Sequence, residues 1–245
     1  MTSGQPQVVQ HLDADDLANR VAVRLLTKLI ELQADGRVAQ LCLTGGRIAM
    51  SLYARLGELV AGSELDPTRL ELWWGDERFV PTDDPERNAG PTLALLAGHF
   101  TLDSARTHPM PSADGVVDAA ASAATYAKEL GETRFDLCLL GMGPDGHVAS
   151  IFPDHDSADV TTQSVIGVSD SPKPPAERIS LTIQTLNNSE EVWFLVSGTE
   201  KSAALARALA GDSDLPAGRV AGQGRTLWLV DRASAVELPY FDCAM

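Results

Sequence analysis

Leu17, Val21, Leu25 and Leu29 recur at every fourth position in an otherwise polar stretch. That spacing predicts an amphipathic helix from about Asp13 to Gln33. Asp13 is suited to cap it, and Asp16 adds favourable first-turn charge. The next apolar segment, Val38 to Leu43, is short and continuous and predicts a buried strand. A second helix follows to about Val60. Further strands are predicted over Leu70–Trp74, Phe135–Leu140, Val165–Val168, Ile179–Ile183, Val192–Val196 and Leu227–Val230, and further helices over Asn88–Leu96, Val116–Leu130 and Glu200–Leu209. Alternating strands and helices imply an α/β fold, a mostly parallel sheet with helices on both faces. No repeat, low-complexity tract or long linker divides the chain, so residues 1–245 read as one domain. The polar residues 1–7 are expected to be flexible.

The unusual sequences follow the ends of strands, which is where open α/β sheets bind ligands. Thr44-Gly45-Gly46-Arg47 joins a strand to a helix. Its glycines permit a tight turn and close backbone approach, and free amides at a helix start favour an anion. An ordinary tight turn is the competing reading. Gly75-Asp76-Glu77-Arg78 sets charges between Trp73, Trp74 and Phe79. Arg78 there could make a bidentate contact to phosphate, or could pair internally with Asp76 or Glu77.

Gly141-Met142-Gly143-Pro144-Asp145-Gly146 spells GxGxxG after a strand, and Asp170 falls near the position of a ribose-binding acid. The dinucleotide reading fails. Pro153 leaves no room for the crossover helix, and Pro144 removes an amide from the loop that would cradle pyrophosphate. The glycines instead frame His147 at the start of what reads as a short helix. The positive end of such a helix would disfavour imidazolium and leave a neutral general base. Asp145 could bond the glycine-loop amides or orient the ring. Further on, Ser171-Pro172-Lys173-Pro174-Pro175 is too proline-rich for helix or central strand. Its stiffness would hold Lys173 at low entropic cost, with Arg178 just beyond. A rigid surface connector is the alternative. Lys201 opens a helix, where a cation is unfavourable unless an anion is bound.

A formal net charge of −15 argues against nucleic acid and anionic membrane as partners. It also requires any phosphate site to be locally basic, which screening over roughly 10 Å at 0.1 M salt permits. Cys42, Cys138 and Cys243 form no CxxC, and their odd number argues against a disulfide framework, consistent with a cytoplasmic protein. No secretory signal or membrane-spanning stretch is evident. His11, His99, His108 and His155 lack metal-ligand spacing and read as structural or surface residues. Without a GxSxG elbow, attack by water is favoured over an acyl-enzyme.

Together, Trp74-Gly75-Asp76-Glu77-Arg78-Phe79-Val80-Pro81, the run from Gly141 to Pro153, and Ser171-Pro172-Lys173-Pro174-Pro175 with Arg178-Ile179-Ser180-Leu181-Thr182 resemble the 6-phosphogluconolactonase family. Thr44-Gly45-Gly46 resembles its first glycine turn, although Arg47-Ile48-Ala49 stands where the family usually has a small hydroxyl residue and proline. The motifs span nearly the whole chain in order. The resemblance implies a Rossmann-like fold, within a wider group that includes glucosamine-6-phosphate deaminases. It also implies hydrolysis of 6-phosphoglucono-1,5-lactone without metal or cofactor. His147 and Asp145 would be catalytic. Gly45, Gly46, Arg47, Asp76, Arg78, Gly143, Lys173, Arg178 and Lys201 would hold the sugar phosphate. A monomer or weak homo-oligomer is expected. An amino-sugar-phosphate deaminase using Asp76 as base is the competing enzyme, and a non-catalytic sugar-phosphate sensor the competing binding protein.

Overall fold

In the computed structural model, which describes residues 6–238, seven parallel strands form one central sheet. In chain order the elements are β1 (Gln7–His11), α1 (Ala14–Gln33), β2 (Ala39–Leu43), α2 (Arg47–Val60), β3 (Leu70–Trp74), β4 (Asp76–Arg78), α3 (Ala89–Ala97) and β5 (Thr107–His108). They continue as α4 (Ala119–Leu130), β6 (Phe135–Gly141), β7 (Val165–Val168), β8 (Arg178–Leu181), α5 (Ile183–Asn187), β9 (Ser189–Val196), α6 (Ser202–Leu209) and β10 (Arg225–Asp231). The main sheet has the order β1-β10-β9-β6-β2-β3-β5, and β4-β8-β7 form a small antiparallel sheet.

Strand alternation sorts the core into two layers. On β6, Leu137 and Leu139 join α1, α2 and α3, whereas Cys138 and Leu140 face α4, α6 and the small sheet. The α1 stripe of Leu17, Val21, Leu25 and Leu29 is fully buried. Burial of each such side chain is worth roughly 1.5–3 kcal/mol. Asp13 caps α1 by accepting the Asp16 amide at 2.9 Å.

The structure departs from the sequence pattern in several places. Gln7, expected in a flexible terminus, begins β1 and pairs with Leu227 of β10; residues 1–5, like Cys243, lie outside the described residues. Asp76–Arg78 is a strand rather than a loop, because β8 pairs with it. The strand expected over Ile179–Ile183 ends at Leu181, where Thr182 caps α5. Helix α4 starts at Ala119 rather than Val116, because the Asp118 side chain caps it. No helix follows His147. Residues 148–151 make a tight turn closed by a Val148–Ile151 bridge, with Ala149 at φ 48°.

His11 ends β1 with its side chain only 5% exposed and Asp16 at 3.8 Å from Nδ1. Among the described residues neither ring nitrogen has a hydrogen-bond partner. Burial pushes its pKa below the ordinary value of 6.5; Asp16 opposes the shift, and Arg20 and Arg24 reinforce it. The unfolded chain therefore takes up this proton first as pH falls. Folding stability contributed here is intact above about pH 6.5 and declines below it. His11→Phe should flatten that decline, which urea unfolding at about pH 7.5 and about pH 5.5 would measure.

Candidate active site

Neighbouring strands β2 and β6 send their chains in opposite directions, β2 toward β3 and β6 toward β9. The backbone cannot fill the space beyond their carboxyl ends, so a crevice opens at this switch point. A cavity of about 460 Å³ occupies it. Its walls include the turn after β2 (44–48), the loop after β6 (141–144 with His147), Asp76 and Arg78 of β4, Arg178 of β8, and Ser197, Gly198, Glu200 and Lys201 after β9. Ala14 and Asp15 of α1 complete the rim.

The turn after β2 puts Gly46 at φ 96°, a conformation a side chain would strain. Helix α2 begins directly after it with Arg47, no side-chain cap and no acidic residue in its first turn. Its first amides have no side-chain acceptor, and Gly46, Arg47 and Ile48 line the cavity, an arrangement that favours an anion. Gly45 has a separate reason to lack a side chain, since a Cβ there would lie 1.9 Å from Asn88 Oδ1.

In the loop after β6, Asp145 Oδ1 lies 2.6 Å from His147 Nδ1. Lys173 Nζ lies 3.1 Å from the same oxygen and 3.0 Å from Nδ1. Burial alone would raise the Asp145 pKa. The hydrogen bonds and charges of His147 and Lys173 outweigh it and hold the carboxyl well below the usual carboxylate range. An ionised carboxylate only accepts, so the proton in the 2.6 Å contact belongs to Nδ1. Nε2 is the ring nitrogen that this contact does not engage, and His147 lines the cavity. The ring is 19% exposed and packs on Phe152, with centroids 4.8 Å apart.

The floor is polar and ordered. Asp76 accepts from Ser150 Oγ at 2.7 Å. Arg78 pairs with neither Asp76 nor Glu77; it donates to the Glu86 carbonyl and to Asn88 Oδ1, each at 2.8 Å. Glu77 is fully buried and accepts the amides of Arg78, Asn88 and Ala89, so it organises the loop rather than the cavity. Burial pushes its pKa up against those amides and Arg87. Arg178 is spent on the carbonyls of Lys173, Pro174 and Pro175 while still lining the cavity. Lys201 has no ion pair among the described residues. Burial pulls its pKa down, Glu200 opposing and Arg47 reinforcing the shift. The cavity thus holds cations that repel one another.

Comparison with known proteins settles the kinship. The family described as glucosamine-6-phosphate isomerases/6-phosphogluconolactonase matches residues 12–228. The 6-phosphogluconolactonase of Streptomyces coelicolor is 44% identical, with 97% of this chain and 96% of that protein covered. That of Mycobacterium tuberculosis is 38% identical, with 93% and 96% covered.

The chain belongs to the glucosamine-6-phosphate isomerase/6-phosphogluconolactonase family.

The crystal structure of 6-phosphogluconolactonase from Thermotoga maritima has a TM-score of 0.82 and 29% identity, covering 93% of this chain and all of that one. A monomeric glucosamine-6-phosphate deaminase, at 22% identity and TM-score 0.77, shares the fold.

Of the positions that the sequence singled out, this family member gathers Gly45, Gly46, Arg47, Asp76, Arg78, Gly143, His147, Arg178 and Lys201 around one cavity. Lys173 and Asp145 stand behind His147 instead of on the wall. Asn88, Ser150 and Glu200 were not singled out. Asn88 and Ser150 serve through contacts with residues 10 and 74 positions away, which no local pattern marks.

Gly143 carries the tightest steric demand. A Cβ there would lie 2.0 Å from His147 Nδ1 and 2.5 Å from Asp145 Oδ1. Gly143→Ala must displace the ring. Displacements on the order of 1 Å cost ~10²-fold in rate. The variant should lose about that much kcat while thermal unfolding moves by only a few degrees. Initial-rate kinetics and calorimetry on the same preparation would check both.

Proposed function

We propose that this chain hydrolyses 6-phosphoglucono-1,5-lactone to 6-phosphogluconate, with His147 activating the attacking water. The observation that carries the mechanism is the 2.6 Å contact of Asp145 with His147 Nδ1, which leaves Nε2 free to accept a proton. Kinship with lactonases over nearly the whole chain supports the reaction.

The residues suggest the following sequence. Water gives a proton to Nε2 as its oxygen bonds to the lactone carbonyl carbon, and the carbonyl electrons move to oxygen. Collapse of this oxyanion breaks the bond to the ring oxygen. That oxygen takes the proton from the imidazolium and becomes the free hydroxyl. The new carboxylic acid loses its own proton to solvent. Amides at the start of α2 or a wall cation would stabilise the oxyanion, an effect worth ~3 kcal/mol per good donor. Arg47, Arg78 and Lys201 are the wall cations available to the phosphate and oxyanion, with the amides of Gly45 and Gly46 beside them. Asp76 is placed for a sugar hydroxyl. The proposed setting is the cytoplasm, with a monomer or weak homo-oligomer acting on a diffusible sugar phosphate. Among the described residues no helix is long and apolar enough to cross a membrane.

A positioned general base contributes typically ~10²–10⁴ in rate. His147→Ala should therefore stay folded and lose activity by about that factor. Acid release from freshly generated lactone, corrected for its spontaneous hydrolysis, would measure this. Near-normal turnover in the variant would remove His147 from the mechanism.

A further inference from the structure

The sequence placed Lys173 among the residues that hold substrate, and the structure gives it a different neighbourhood. Its ammonium reaches Asp145 Oδ1 and His147 Nδ1, and it is absent from the cavity wall. Its backbone is fixed on both sides: Arg178 Nη2 donates to the Lys173 carbonyl at 3.0 Å, and the Lys173 amide donates to Ser171 Oγ at 3.3 Å. A buried arginine and a proline-rich segment are thus committed to holding one ammonium beside one imidazole.

We propose that Lys173 is a positioning residue that acts on the reaction through Asp145 and His147, pinning the carboxylate that orients the ring and opposing retention of a proton by the ring. This rests on His147 being the base. Asp145 Oδ1 is shared between two donors, Nδ1–H and the ammonium. The shared oxygen fixes the tautomer that exposes Nε2. It also fixes the electrostatics. Asp145 favours the imidazolium and Lys173, at 3.0 Å from Nδ1, disfavours it. The other charges around the cavity are Arg47, Arg78, Arg178 and Lys201, set against Asp15, Asp76 and Glu200. Phe152 packs on the ring with centroids 4.8 Å apart, and Arg178 lies 5.8 Å from the Phe152 centroid. Only Asp145 and Lys173 form charged contacts with the ring among the described residues.

In the lactone reaction the imidazolium must pass its proton to the departing ring oxygen. A cation beside it makes that second transfer easier. Removing the cation therefore has a definite sign. In Lys173→Met the imidazolium is stabilised, so His147 should titrate at higher pH than in the parent protein. A neighbouring charge moves a titration by about one to three units, and the partial exposure of Lys173 points to the low end, about one unit.

The decisive measurement is the titration midpoint of His147 by NMR on histidine-labelled protein, its signal assigned with His147→Ala. It is paired with the pH profile of kcat/KM. The expected result for Lys173→Met is a midpoint and an acidic limb both raised by about one unit, with KM within about twofold. Lys173→Gln can still donate to Asp145 but has no charge, and should shift equally. Lys173→Arg keeps the charge and should remain near the parent. An unmoved or lowered midpoint in the neutral variants would overturn the proposal. So would a KM raised about tenfold with an unshifted limb, because Lys173 would then be a substrate cation. The midpoint is independent of turnover, so its failure is distinct from failure of the base assignment, which His147→Ala activity tests alone.

Discussion

Cys42 of β2 sits beside Cys138 of β6 in parallel register, and beyond this pair the two strands part. Chain leaving β2 turns to the β3 side and chain leaving β6 to the β9 side. Every feature of the site follows from having to line that gap without filling it. Both loops must turn sharply at the strand ends, and both use glycine. Two buried tyrosines hold the strand ends where sheet pairing stops. The Tyr53 hydroxyl accepts the Thr44 amide at 3.1 Å and donates to the Thr44 carbonyl at 3.0 Å. Tyr126 makes the same two bonds to Trp74, at 3.0 and 3.2 Å. Burial pushes both phenols up, so each stays protonated and able to donate. The turn after β2 and the strand leading to Asp76 are thus anchored from opposite faces of the sheet.

With a net charge of −15, the protein still places Arg47, Arg78, Arg178 and Lys201 around one cavity. These cations differ in what they are already doing. Arg178 is consumed by three carbonyls of the proline-rich loop, and Lys173 by Asp145. Arg78 is partly consumed by Glu86 and Asn88. Arg47 and Lys201 have no ion pair among the described residues; burial lowers the Lys201 pKa and the charge of Arg47 adds to the shift. Uncompensated repulsion of this kind is relieved by a bound dianion. Arg47 opens α2 directly after the glycine turn and adds a charge to the cavity lining.

Much of this was readable from the sequence, and the gaps have physical causes. Helix α1 and strands β2 and β6 are written in period and continuity because they bury a whole stripe or both faces. Strand β1 is an edge strand, buried fully only at His11, so its pattern carries no such signal. Strand β4 consists of Asp76, Glu77 and Arg78 and owes its conformation to pairing with β8 about 100 residues away, which local propensity does not encode. The short helix expected after His147 does not form. Gly146 and Ala149 both adopt positive φ, which interrupts any α-helical path through an apolar run that has the right composition for one. Lys173 was legible as a candidate from its prolines, but its contact with Asp145 was not, because the direction of a long side chain is decided by its surroundings.

The absence of that helix changes the electrostatics around His147, the proposed base. A helix terminus would have acted on the ring through a fixed partial charge. In its place stand a full negative and a full positive charge meeting at one carboxylate oxygen. Gly143 makes this possible, because any side chain there would occupy the place of the ring and of Asp145 Oδ1. Gly146 lets the loop turn at φ 83° and leaves room for Leu215. The glycines that spell a dinucleotide fingerprint therefore serve a different end. They bring an imidazole, a carboxylate and an ammonium within hydrogen-bonding distance at the rim of a cavity. A dinucleotide site would use the same spacing to bring backbone amides against pyrophosphate, whereas here the Gly143 and Gly146 amides are already bonded to the carbonyls of His147 and Gly143. Identical glycine spacing thus yields two kinds of site, and whether a helix follows the last glycine determines which one forms.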